Sequence, residues 1–309
     1  MAKTGKSKAV EAPRRRKLDR KQNKQVAKKD AAAQAIPSSF NILGQVFVIL
    51  RRHWKILGGI TLVYLILNIV LASGLSSVIN NFSTVKDNLG SGHNFSDALH
   101  GFGSLLGGSA NEPQSSSVLQ SLLIILESLV VIWALRQLLA DKKFSVKDAY
   151  YKSMTPLVPF LLLVLVIIIQ LLPITLGAGA VVLIASALAS SGAVASITLL
   201  TLIPLLGWSI YMLSSSIFAL YIVTLPDMQP RQALRSAKKL VNFRRLVIIR
   251  RILFLPIFIL LVMAAVVLPL ILFAHFLVVP VFYLLSISIV LFAHAYLYNL
   301  YRGLLNAQQ

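Results

Sequence analysis

From Leu157 to Leu225 the chain carries no charged residue, and few folds can accommodate so long a stretch. The hydrocarbon core of a bilayer is crossed by roughly 20 apolar residues in an α-helix. Only a helix or a closed barrel satisfies its backbone there without water. The composition agrees: 57% of the 309 residues are hydrophobic, 13% are charged, and the mean hydropathy is +0.79. A water-soluble globular domain has a far more polar mix. The sequence therefore predicts an all-α polytopic membrane protein.

Six apolar runs are long enough to cross, at about 56–79, 118–140, 157–188, 195–225, 252–275 and 279–301. The charge-free stretch is interrupted by Pro173, Gly177, Gly179, Ser190-Ser191-Gly192 and Pro204, and by length alone it holds two crossings or three. Parity decides for two, because the segments on either side of it are both rich in Lys and Arg. Cytoplasmic loops carry such an excess. Arg51, Arg52 and Lys55 precede the first run, and Arg136, Lys142, Lys143, Lys147 and Lys152 follow the second. Arg231 through Arg251 lie between the fourth and fifth, and Arg302 follows the sixth. Of the 30 Lys and Arg, Lys86 alone falls on the other side, which places both termini in the cytoplasm of a cell membrane.

Residues 1–37 hold twelve Lys/Arg against Glu11, Asp19 and Asp30, with no aromatic residue. Such a segment buries too little apolar surface to offset its ordering entropy, so a disordered basic cytoplasmic tail is expected. The six-helix domain then occupies 38–309. Its 80–117 connection is rich in Gly, Ser and Asn and reads as a flexible outer loop. The first long apolar run begins too late for a signal peptide, so it is expected to stay as an anchor.

A weak internal repeat accompanies this pattern. Each odd-numbered run is preceded by a short helix-like segment with basic residues, at Phe40–Arg52, Val146–Ser153 and Pro230–Arg245. In the last, helical periodicity gathers Ala233, Leu234, Ala237, Leu240 and Val241 on one face. Arg231, Arg235, Lys238, Lys239 and Asn242 lie opposite, and Arg244 interrupts the apolar stripe. The 226–251 segment is thus expected to lie in the cytoplasmic interface, apolar side in the acyl boundary, with Arg231, Arg235, Lys238, Lys239 and Arg245 contacting anionic lipid. The chain reads as three transmembrane hairpins, each preceded by a short interfacial helix.

The run Pro230-Arg-Gln-Ala233-Leu234-Arg-Ser-Ala237-Lys-Lys-Leu240, after a span ending at Leu225-Pro226, resembles the membrane domain found beside bacterial glycerophosphoryl diester phosphodiesterases and its six-span relatives. Pro230, Ala233, Leu234 and Leu240 match the signature of that group. Ala237 and Phe243 stand where Ser and Gly are usual, and Ala149, Tyr150 and Ser153 repeat the spacing loosely. The resemblance implies a six-span fold over about 40–302 and no reaction, since hydrolysis in the enzymes of that group belongs to a separate soluble barrel.

Glu127 falls near the middle of the second run, where an ionisable group costs about 2.5–3.5 kcal/mol on insertion scales and should face the bundle interior. Arg136 is on the opposite face of the same helix, about 13 Å away, and is expected to snorkel to the interface. Asn68, Tyr211, Ser214, Ser215 and His275 are candidate partners for Glu127 on other helices. Two roles stay open for it, proton or solute coupling and hydrogen-bonded helix glue; the second is favoured. Pro173 with Gly177 and Gly179, and Pro204 with Gly207, read as kinks satisfied by neighbouring helices, or as broken helices lining a cavity.

Chemistry-bearing motifs are sparse. There is no cysteine, and His93 and His100 lack a clustered carboxylate, so no metal site or cofactor is expected. His275 and His294 read as structural, and the sequons at Asn81 and Asn94 matter only in a eukaryotic secretory pathway. Seven acidic residues follow position 37, three of them in the 80–117 loop, which leaves hydrolysis few candidates. A basic tail without interleaved aromatics favours lipid over nucleic acid. A non-enzymatic protein that organises lipids or a membrane protein partner is expected; the alternative is a small-solute transporter that uses Glu127.

Overall fold

The computed structural model describes residues 37–72, 79, 102, 114–188, 191–242 and 244–307. The tail before Pro37 and most of the 80–117 loop, with His93, His100 and both sequons, lie outside the described residues, as do Phe243 and the side chain of His275. All regular structure among the described residues is helical, in nine helices. These are α1 (Ser39–Arg52), α2 (Trp54–Ala72), α3 (Gln114–Leu138), α4 (Val146–Ser153), α5 (Leu157–Leu188), α6 (Ser191–Val223), α7 (Pro230–Val241), α8 (Arg245–Phe273) and α9 (His275–Asn306). Six of them, α2, α3, α5, α6, α8 and α9, are long and apolar enough to cross a membrane. This is a multi-pass membrane architecture.

The short helices begin within a residue of where the sequence predicts, because their starts are locally encoded. Ser38 accepts from the Asn41 backbone N–H to cap α1, and Pro230 opens α7 with its missing donor where none is needed. A capping box starts α4: Ser145 Oγ accepts from the Asp148 N–H while the Asp148 carboxylate accepts from the Ser145 N–H at 3.0 Å. The Ser145 hydroxyl, which donates to the Asp148 carboxylate at 2.7 Å, and after it the Ser145 N–H hold that carboxyl below the usual aspartate value of 3.8, with smaller help from Lys152 and Lys147. The unfolded carboxyl has the higher value, so this contribution is present above pH 4 and fades as pH falls below it. Ser145→Ala should destabilise docking of α4 by about 1 kcal/mol, read as faster amide exchange confined to 146–153.

The long helices continue past their prolines. Pro173, Pro204, Pro256, Pro269 and Pro280 all lie inside helices. A Cβ on Gly177 would come within 2.8 Å of Leu205 Cδ1, so Gly177 marks a close approach of α5 to α6 beside Pro204. Small residues serve helix contacts of this kind in membranes. The fifth run starts earlier than expected: α8 begins at Arg245 rather than near 252, with Arg250 exposed and Arg251 buried inside it.

Burial sorts the helices into inner and outer. Half of the Val118–Leu138 window is buried, against 11% of Leu157–Ile174. The main core gathers at one end, around the last turns of α3, α6 and α9. Leu129 to Ile132, Phe218 with Tyr221 to Val223, and Ala295 to Tyr301 are shut away there. Tyr221 stacks on Tyr301 and touches Tyr298, and its hydroxyl lies 3.1 Å from His294 Nδ1, which makes His294 structural.

The short helices form a collar around these last turns. In each, one i, i+4 pair is completely buried: Ile42 with Val46, Ala149 with Ser153, Ala233 with Ala237. The spacing puts both members on one face. The partners rotate in order, since α1 packs on α9, α4 on α3 and α7 on α6. Likewise α2 lies against α9, α5 against α3 and α8 against α6, while α2 also lies along α3, α5 along α6 and α8 along α9. The result is a closed ring with an approximate three-fold repeat. At this end Arg52 meets Asp141 at 3.9 Å, and Pro37 sits where a Cβ on Gly303 would be.

Candidate functional site

Two groups of side chains stand out, one on the collar's surface and one at its upper rim. The surface group is on α7. Ala233, Ala237, Leu240 and Val241 are buried, and Arg231, Arg235, Lys238 and Lys239 are exposed, so the two faces divide as the sequence predicts.

The cover of the apolar face differs from the expected acyl boundary. It is α6, with α5 and α9 contributing. Alanine at 233 and 237 lets the two helices approach closely. Arg245, the next helix's first residue, places its guanidinium 4.4 Å from the centre of the Tyr211 ring, about three turns before the end of α6. That contact separates Arg245 from the other four expected lipid contacts: it is half-buried and held by a cation–π interaction. The remaining four project outward and have no ion-pair partner among the described residues.

The rim group surrounds Glu127. Its side chain is 2% exposed, and Oε2 accepts from the Tyr150 hydroxyl at 3.0 Å. Tyr150 belongs to α4 and also lies 3.2 Å from the Ile60 carbonyl. Burial, and after it the neighbouring Glu127 carboxyl, hold the Tyr150 phenol above its ordinary value of 10.0, so it remains a donor. The same two distances suit a carboxylic acid that donates to Tyr150 while Tyr150 donates to Ile60. No buried charge is then needed.

Among the described side chains, which leave out that of His275, none of the expected partners donates to Glu127. Ser214 and Ser215 are spent on carbonyls of their own helix, Tyr211 is under Arg245, and Asn68 accepts from Tyr283 at 2.8 Å. Tyr64 lies beside both Asn68 and Glu127, between the two pairs. A run of polar groups thus joins α4, α3, α2 and α9. The signal for Tyr150 was its position on the face of α4 that carries Ala149 and Ser153.

Arg136, expected to reach the interface, is held by the end of a neighbouring helix. It donates to the Tyr221 carbonyl at 2.9 Å and to both the carbonyl and the hydroxyl of Thr224. A helix ends with carbonyls that lack intrahelical partners, and a cation there is favourable. The end of α3 therefore caps the end of α6.

Three cavities, of about 630, 440 and 170 Å³, open along α1, α2, α8 and α9, and Glu127 lines none of them. Among the described residues no group of three or more His, Cys, Asp or Glu is placed to hold a metal ion. No family model, curated protein or solved structure matches the chain.

Proposed function

We propose that this chain is a multi-pass protein of the cytoplasmic membrane that organises anionic lipid, or a membrane protein partner, at the inner leaflet without catalysing a reaction. In this reading it crosses six times as three hairpins, each preceded by a collar helix, with both termini in the cytoplasm. The likeness of Pro230–Leu240 to the six-span phosphodiesterase-associated domain supports the fold type and assigns no substrate.

The observation that carries the proposal is the orientation of α7. Its apolar face is occupied by α6, which leaves Arg231, Arg235, Lys238 and Lys239 facing out at the basic end. Attraction to anionic headgroups is worth about 1 kcal/mol per cation near the surface.

Changing all four to Gln should weaken retention of phosphatidylglycerol over phosphatidylcholine in native mass spectra from mixed nanodiscs by at least about tenfold. The preference should also fall as salt shortens the Debye length. An unchanged lipid profile would remove α7 from lipid contact. Sidedness has its own check, since the chain has no native cysteine: Lys238→Cys should be labelled by impermeant maleimide only from the cytoplasmic side.

A second reading, a solute transporter, draws on the run of buried polar groups from Tyr150 through Glu127 and Asn68 to Tyr283. Proton flux in liposomes that Glu127→Gln abolishes would favour it.

A further inference from the structure

The ring closes where α1 meets the end of α9, and there the fit is incomplete. A cleft of about 630 Å³ remains between them, reaching the last turn of α3 at Leu139. Its polar wall is Gln45, Asn299, Arg302 and Asn306; its apolar wall is Val48, Ile49 and Leu139. Among the described residues no Asp or Glu lines it, and Arg302 is the one charged lining residue.

Two glycines make the space, in different ways. Gly303 lies against Pro37, where a Cβ would come within 2.9 Å of the ring, whereas a Cβ on Gly44 would meet nothing within 4 Å. Gly44 therefore borders open volume. Pro37, also on the rim, is where the strongly basic residues 1–36 join the bundle. Asn299 is buried, with its amide N–H given to the Ala295 carbonyl at 2.9 Å, so this wall is fixed.

We infer that this cleft is a binding site for a phosphate ester, with Arg302 on the anion, the amides of Gln45 and Asn306 on its remaining oxygens, and the Val48–Leu139 wall against the attached carbon chain. A guanidinium is suited to phosphate by its fork of donors. The ester belongs either to a glycerophospholipid of the leaflet or to a soluble glycerol phosphate. The site is separate from the cations of α7.

The full-length protein in nanodiscs of phosphatidylglycerol and phosphatidylcholine should retain one phosphatidylglycerol after release into the mass spectrometer. Glycerol 3-phosphate added to delipidated protein in detergent tests the soluble source. Arg302→Gln should lower occupancy by whichever ligand binds about tenfold. Gly44→Leu should block it with the thermal midpoint unchanged, because the new side chain enters open space. If Gly44→Leu fails to fold, Gly44→Ala with Arg302→Gln decides the matter by the same readout. The quadruple Gln variant of α7 should lose the further phosphatidylglycerol held at that helix's surface and still keep the one molecule in this cleft. Absence of both ligands from the wild type, wild-type occupancy in Arg302→Gln, or loss of the bound ligand in the α7 variant would each overturn the assignment.

Discussion

Replacing Arg136 by Met should destabilise the bundle by about 3 kcal/mol, measured as a shift in the free energy of unfolding by denaturing detergent in mixed micelles. The guanidinium serves the Tyr221 carbonyl and both oxygens of Thr224 at the end of α6. A hydrogen bond with one charged partner contributes about 1.5–3 kcal/mol, and an acceptor left buried without a donor costs a further 1–3. Thr224 is buried, so water does not substitute freely. Met keeps most of the stem's packing, which isolates the polar loss. Lys supplies charge without the fork and should recover only part of it. A loss below about 0.5 kcal/mol for Met would mean that the end of α6 is capped by something else.

The second large effect is expected at the rim, and its pattern matters more than its size. Tyr150→Phe should cost about 1–3 kcal/mol, because it leaves a carboxyl buried without its donor. Glu127→Leu should cost less than Tyr150→Phe, since it removes the group that needs satisfying. Glu127→Gln should be nearly neutral: the amide donates to Tyr150, which donates to the Ile60 carbonyl at 3.2 Å. A double-mutant cycle between Tyr150→Phe and Glu127→Leu, each of which removes the contact, should give a coupling of about 1 kcal/mol. Additive losses would show that Tyr150 and Glu127 do not act on one another, and with that the helix-glue role would fail.

The crossing helices and the collar helices were legible in the sequence because both are encoded locally. Apolar runs of sufficient length identify the first, and Ser38, the Ser145–Asp148 box and Pro230 mark the starts of the second. The partner of α7 was not legible. An amphipathic pattern says that a face needs apolar cover and is silent on whether lipid or protein provides it. The signal that was available is side-chain size, since Ala233 and Ala237 are better suited to a close helix contact than to filling acyl space.

Both polar partnerships were hidden for a related reason. Tyr150 lies 23 residues from Glu127, and Thr224 lies 88 from Arg136, distances over which the sequence carries no periodic signal. The start of α8 was missed because Arg245 to Arg251 reads as a charged boundary. Its stacking on Tyr211 lets Arg245 begin a helix that sequence reasoning starts seven residues later.

The rotation of partners around the collar has a consequence for how the protein is made. As a ribosome delivers the chain, α4 and α7 find α3 and α6 already inserted, but α1 must wait for α9, which emerges after the other eight described helices. Ile42 and Val46 are without their native shelter until α9 arrives, so α1 docks after α4 and α7, and a chain stalled before Gly303 presents to quality control an apolar stripe that the folded bundle buries.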